Sequence, residues 1–186
     1  MKIIVAITGA SGAIYARQLL ELLVAHPCVE HVGLILSHHA EDVLRAEGVT
    51  LPESNMITRY QNDDMWASPA SGSARWDAMI VAPTSMGTVG RIASGISRTL
   101  LERAADVMLK ERRRLILVVR ESPYSLIHLR NMTTLTEAGA IILPASPGFY
   151  FCPTSIEELT LPIAQHAAEL AGLDIEHKTW GGQTNN

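Results

Sequence analysis

Lys2-Ile3-Ile4-Val5-Ala6-Ile7-Thr8-Gly9-Ala10-Ser11-Gly12-Ala13 is the stretch that decides the fold. Lys2–Ile7 is a near-continuous β-branched run, as expected of a strand covered on both faces. Thr8–Ala13 breaks the run with small and polar residues. Just beyond it, Ala16, Leu19, Leu20 and Leu23 recur at helical spacing. A buried strand, a small-residue loop and an amphipathic helix together open a βαβ unit.

The same grammar repeats along the chain. His31–Leu36 reads as a second strand and Ala40–Glu47 as a short helix. Residues 48–76 are rich in Pro, Ser, Asn and Gly and read as irregular. Asp77–Ala82 is a third buried strand, followed by helices near Val89–Ser94 and Thr99–Lys110. Leu115–Val119 is a fourth strand, Ser125–Ala138 a helix, and Ala140–Leu143 a fifth strand. The last helix starts near Ser155, with Glu158 placed to complete a capping box, and runs to about Leu170. The sum is an α/β fold: a doubly wound parallel sheet, flavodoxin- or Rossmann-like, in three layers. One domain is expected over 1–186.

In such sheets ligands bind outside the carboxyl ends of the strands, at the topological switch point. Five loops therefore carry the search for chemistry. Thr8–Ala13 lets backbone approach a ligand closely, and the helix it opens favours an anion. It is not G-x-G-x-x-G, and the second strand ends in Ser37, not in the acidic residue that reads a dinucleotide ribose. Pro83–Thr88 offers three hydroxyls and a glycine before a helix, a second anion cradle suited to a phosphate or a flavin edge. Its alternative reading is simple helix capping. Arg120-Glu121-Ser122-Pro123 ends the fourth strand in a charged pair, directed either at a ligand or at each other. Ser146–Tyr150 ends the fifth strand in an aromatic pair that either covers an apolar ligand or packs on the last helix.

Composition bounds the function. With 15 Lys+Arg, 19 Asp+Glu and a net charge of −4, the chain has no excess of base for a nucleic-acid surface. Five apolar residues after one lysine do not read as a signal peptide, and no run approaches the roughly 18 apolar residues of a membrane span. Cys28 and Cys152 match no metal or redox spacing, and adjacent His38 and His39 cannot both face one metal, so no metal is expected. A protein of the reducing cytoplasm is expected. Lys110–Arg114 reads on its own as a solvated helix end.

In these loops and across most of its length, the chain resembles the UbiX-type flavin prenyltransferases. The matching stretches include Thr8–Ala13, Pro69–Ser73, Ser85–Thr88, Glu102–Val107, Leu109–Arg113, Val119–Pro123, Ile127–Met132, Gly139–Pro144 and Gly148–Tyr150. The resemblance implies an enzyme that joins a dimethylallyl group from dimethylallyl phosphate to N5 and C6 of reduced FMN. It implies no metal, a dodecamer, and a UbiD-type decarboxylase as recipient of the prenylated FMN. Residue by residue, it implies that Gly9, Ala10 and Ser11, Ser37, and Ser85, Met86, Gly87 and Thr88 bind FMN together with Arg120. Ser11, Glu47 and Glu121 are implied as catalytic. Tyr150, Lys110, Arg103 and Trp180 are implied at the prenyl donor, with Lys110 and Arg103 supplied across subunit interfaces and Trp180 as a lid. The tail from about 172 to 186 is expected against a neighbouring subunit.

Two positions depart from the family. His166 stands where the family has Arg or Lys at the prenyl phosphate, which predicts weaker donor affinity that rises at lower pH, or a different donor. Ala67-Ser68 precede Pro69, with Trp66 one place from the family's tryptophan. Two rival readings share the fold. One is an FMN-dependent decarboxylase of cysteine-derived acids, which should carry an Asn-bearing loop that is absent here. The other is a non-catalytic flavin carrier, which would not need Glu47, Lys110, Arg120 and Glu121.

Overall fold

A computed structural model describes residues 1–176. Six parallel strands form one sheet: β1 (Lys2–Ile7), β2 (His31–Leu36), β3 (Ile57–Tyr60), β4 (Ala78–Thr84), β5 (Arg114–Val119) and β6 (Ile141–Pro144), in the spatial order β3-β2-β1-β4-β5-β6. The five strands read from sequence lie in flavodoxin order. The sixth, β3, extends this to the Rossmann order 3-2-1-4-5-6. In both orders the switch point falls between β1 and β4.

β3 corrects the reading of 48–76 as wholly irregular. It is a four-residue edge strand with its two central residues exposed, paired with β2 from Val32–Ile57 to Ile35–Tyr60. An edge strand needs only one hydrogen-bonded flank and one covered face, so it carries no long apolar run.

Alternation along the strands divides the core. On β1, Ile3, Val5 and Ile7 face α1 (Ala13–Ala25), α2 (Ala40–Ala46) and α6 (Ile156–Leu170). Ile4 and Ala6 face the opposite layer of α3 (Met86–Ala93), α4 (Leu100–Lys110) and α5 (Leu126–Glu137). Complete burial of both sets is what the β-branched run of β1 predicts. At α6, Ser155 takes the Glu158 N–H as expected, but the Glu158 carboxylate reaches back to the N–H and hydroxyl of Thr154 at 2.7 and 2.8 Å, not to Ser155. Leu173, at 5% exposure, packs into its own chain's core. Residues 177–186 lie outside the described residues. Both cysteines are free and exposed.

Candidate active site

Two loops meet at the switch point. Thr8, at the end of β1, donates its hydroxyl to the Pro83 carbonyl at 2.7 Å and accepts the Ser85 N–H at 2.9 Å. This buried hydroxyl fixes the loop after β4 against the loop after β1, so the N-termini of α1 and α3 open side by side.

The α1 end is built around Gly12. Its φ of 110° lies in the left-handed region, and a Cβ there would meet the Tyr15 ring at 2.9 Å. No side chain of the loop caps this helix. Instead Glu47, just past α2, lays its carboxylate on the helix end. It accepts the Gly12 N–H at 2.9 Å and the Ala13 N–H at 2.7 Å. Partial burial raises the Glu47 pKa. Hydrogen bonds from the Ser11 hydroxyl and from Gly12 and Ala13, with the charge of Arg120, outweigh this and hold it below the ordinary glutamate value. Arg120, one residue past β5, donates Nε to the Ser11 carbonyl at 3.2 Å. Ser11, Glu47 and Arg120 thus form one cluster, with Glu47 ionised at neutral pH and holding the Ser11 hydroxyl proton.

The α3 end is different. Ser85 caps the helix through the Thr88 N–H, and Ser85 Oγ stands 3.1 Å from Thr88 Oγ1. These residues border an open cleft of about 480 Å³ with Gly9, Ser37, Asn62 and Arg91. Gly9 is needed at its wall, since a Cβ there would meet His39 Cβ at 2.9 Å. Met86 packs in the core and Ala10 is buried, and neither borders the cleft. Gly87 is exposed on the first turn of α3.

Other sequence candidates lie elsewhere. Arg103 donates to the Ala70 carbonyl at 3.1 Å and to Asp106 at 2.6 Å. Lys110 pairs with Glu111. The first turn of α4 borders the cleft, but the helix runs away from it, placing Lys110 about 12 Å further along the axis than Glu102. Neither Arg103 nor Lys110 is among the residues that border the cleft. Glu121 accepts the Ser122 N–H at 2.9 Å beside Arg120. Tyr150 is exposed next to Gly148, and His166 faces Glu169 at 3.2 Å on α6. Trp180 lies outside the described residues.

Sequence reasoning missed Arg91, Glu102 and Asn62. Glu102 is 3% exposed and accepts Arg91 Nε at 2.5 Å and the N–H groups of Arg98 and Thr99 at 2.9 and 3.1 Å. The available signal was Thr99 with Glu102 three residues on, a capping-box spacing that forms here in full. Among the described residues no group of three His, Cys, Asp or Glu stands placed to hold a metal, and no helix is long and apolar enough to cross a membrane.

A family model described as Flavoprotein matches residues 1–168. The flavin prenyltransferase UbiX of Methanocaldococcus jannaschii is 41% identical over 185 residues, covering 97% of this chain and 99% of that one. This chain belongs to the UbiX flavin prenyltransferase family. Two solved structures with UbiX in their names carry the same fold. AnUbiX (PadA1), in complex with FMN and dimethylallyl pyrophosphate, superposes with a TM-score of 0.87 at 41% identity over 96% of this chain and 98% of that one. A dodecameric FMN-dependent UbiX-like decarboxylase from Escherichia coli O157:H7 superposes at 0.90 and 36% identity, over 98% of this chain and all of that one. The two loop ends just described carry the motifs that the resemblance reads as the first and third flavin loops, and the fold brings them together at one switch point.

Proposed function

We propose that this UbiX-family chain is a flavin prenyltransferase: it transfers the dimethylallyl group of dimethylallyl phosphate to N5 and C6 of reduced FMN, releasing phosphate. The observation that carries this reading is the contrast between the two loop ends. An ionised carboxylate already fills the α1 end, so the phosphate of FMN goes to the α3 end, where the hydroxyls of Ser37, Ser85 and Thr88 stand beside Arg91. The flavin ring then reaches toward Ser11, Glu47 and Arg120. FMN, when bound, supplies a nucleophilic N5 and C6.

The chain's own groups manage charge and protons. Glu47 holds the Ser11 hydroxyl proton, which leaves Ser11 Oγ as an acceptor for the N5 proton. Arg120 sets a positive charge beside that point, and Glu121 is a second carboxylate one residue on. Departing phosphate needs cations, and Arg103 and Lys110, which do not border the cleft of their own chain, meet that need from another copy. Tyr150, His166 and Trp180 complete the donor side, with aromatic faces stabilising the allylic cation. The chain acts as one FMN-binding domain in a dodecamer in the cytoplasm, handing prenylated FMN to a UbiD-type decarboxylase.

Anaerobic incubation with reduced FMN and dimethylallyl phosphate, followed by mass spectrometry of the released flavin, tests this. The expected result is a gain of one C5H8 unit. Unmodified flavin with either the mono- or the diphosphate donor would overturn it and leave the carrier reading.

A further inference from the structure

We infer that Arg91 and Glu102 form a buried-anchor pair that makes the cleft selective for a phosphate monoester. This rests on the flavin reading above and adds to it a specificity device that the flavin motifs do not contain.

Glu102 is almost fully buried at the start of α4 and has both carboxylate oxygens engaged: Oε2 by the N–H groups of Arg98 and Thr99, Oε1 by Arg91 Nε. A buried carboxylate so placed fixes the guanidinium plane of Arg91, because a planar donor fork held at one nitrogen and packed on its own helix has little freedom left. A second nitrogen, Nη2, donates to Thr88 Oγ1 at 3.2 Å. The third, Nη1, lies over Gly87, 3.3 Å from where a Cβ would stand. A side chain at position 87 would crowd it.

The consequence is a bias in hydrogen-bond polarity. A hydroxyl has one proton to give and two lone pairs to receive with. Ser85 Oγ receives the Thr88 N–H, and Thr88 Oγ1 receives an Arg91 N–H. The two hydroxyls are 3.1 Å apart, so one donates to the other. One hydroxyl proton is left over, and Ser85, Thr88 and Arg91 all border the cleft. Without Arg91, Thr88 Oγ1 would be as ready to accept as to donate. With it, the α3 end presents donors and a positive charge. That set holds an anionic acceptor and gives little to a neutral alcohol. Riboflavin ends in such an alcohol where FMN carries its phosphate.

Arg91 is thus a ligand-contacting residue, and Glu102 is a positioning residue acting through it. Quenching of flavin fluorescence gives Kd for oxidised FMN and for riboflavin, with wild type, Arg91→Gln, Arg91→Lys, Glu102→Gln and the double variant Arg91→Gln/Glu102→Gln. Hydrogen bonds to charged groups predict that Arg91→Gln weakens FMN about 10–100-fold and leaves riboflavin within about 2-fold. Arg91→Lys keeps the charge and recovers part of the loss. Glu102→Gln weakens FMN selectively, and the double variant binds FMN no worse than Arg91→Gln alone, because the carboxylate acts only through the arginine. Unchanged riboflavin binding shows that each variant is folded. Equal losses for both flavins, no loss for either, or additive effects of the two substitutions would overturn the pair's role. Wild type that binds neither flavin would instead sink the flavin reading and this inference with it.

Discussion

The N-termini of α1 and α3 follow neighbouring strands, and both turns are rich in small and hydroxyl-bearing residues. One is closed by the chain itself and the other is left open. At α1, Glu47 arrives from 35 residues further along and satisfies the Gly12 N–H, while its second oxygen takes the Ala13 N–H. At α3, Ser85 caps the helix in the ordinary way, and the remaining donors face a cleft. The lesson is that an anion-favouring helix end is a resource with two uses. Filled by a side chain, it lowers that side chain's pKa and makes an ionised proton acceptor. Left open, it holds the charge of a ligand.

Replacing Glu47 tests this division most severely. Glu47→Gln should cut prenyl transfer by about 10²–10⁴-fold, the usual range for a lost acid–base group, while FMN affinity changes little. Turnover by mass spectrometry and FMN titration check the two halves. If FMN affinity falls as far as turnover, the α1 end binds ligand charge and the comparison breaks.

Gly12→Ala probes the geometry that brings Glu47 its partners. The left-handed φ and the Tyr15 ring at 2.9 Å both oppose a Cβ. A loss of about 1–3 kcal/mol is expected, read as a fall of several degrees in thermal midpoint. An unchanged midpoint would show that the turn relaxes and that Glu47 does not depend on it.

A smaller effect appears with acid. Glu47 and Glu102 both have pKa values lowered in the folded chain, in each case because hydrogen bonds outweigh the opposing burial. For a depressed carboxylate the stabilisation is present above the unfolded value, about 4.3 for glutamate, and is lost as pH falls through the folded value. The thermal midpoint should therefore hold steady above about pH 5 and drop below about pH 4. Glu102→Gln should lower the midpoint at neutral pH and flatten the acid limb. Parallel acid limbs in variant and wild type would remove Glu102 from the account.

The catalytic and binding candidates differ in how they can be found. Ser11, Ser85 and Arg120 sit at strand ends and Thr88 in the first turn of the helix that follows, and alternation of apolar runs with helical spacing places every such strand end at one side of the sheet. They were legible for that reason. Arg91 and Glu102 lie inside helices, 11 residues apart, and read as a helix surface and a cap. Only the packing of α3 beside α4 turns them into a pair at the cleft. Arg103 and Lys110 fail in the opposite direction. Their motif is clear, but neither borders the cleft of its own chain: Arg103 is engaged by the Ala70 carbonyl and Asp106, and Lys110 by Glu111. β3 was missed because an exposed four-residue edge strand has no continuous apolar signature.

By itself, the sequence determined the three-layer parallel sheet, its switch point and the chemical character of the loops there. Strand burial and helical periodicity are local patterns, and right-handed parallel connections leave few ways to arrange them. Tertiary structure alone decided which helix end is filled and which is open. That choice depends on Glu47 reaching Gly12 and Ala13 and on Glu102 reaching Arg91, contacts between distant residues that no local pattern encodes. A hydrogen bond to a charged group depends on placement within a few tenths of an ångström, and only the folded chain supplies that.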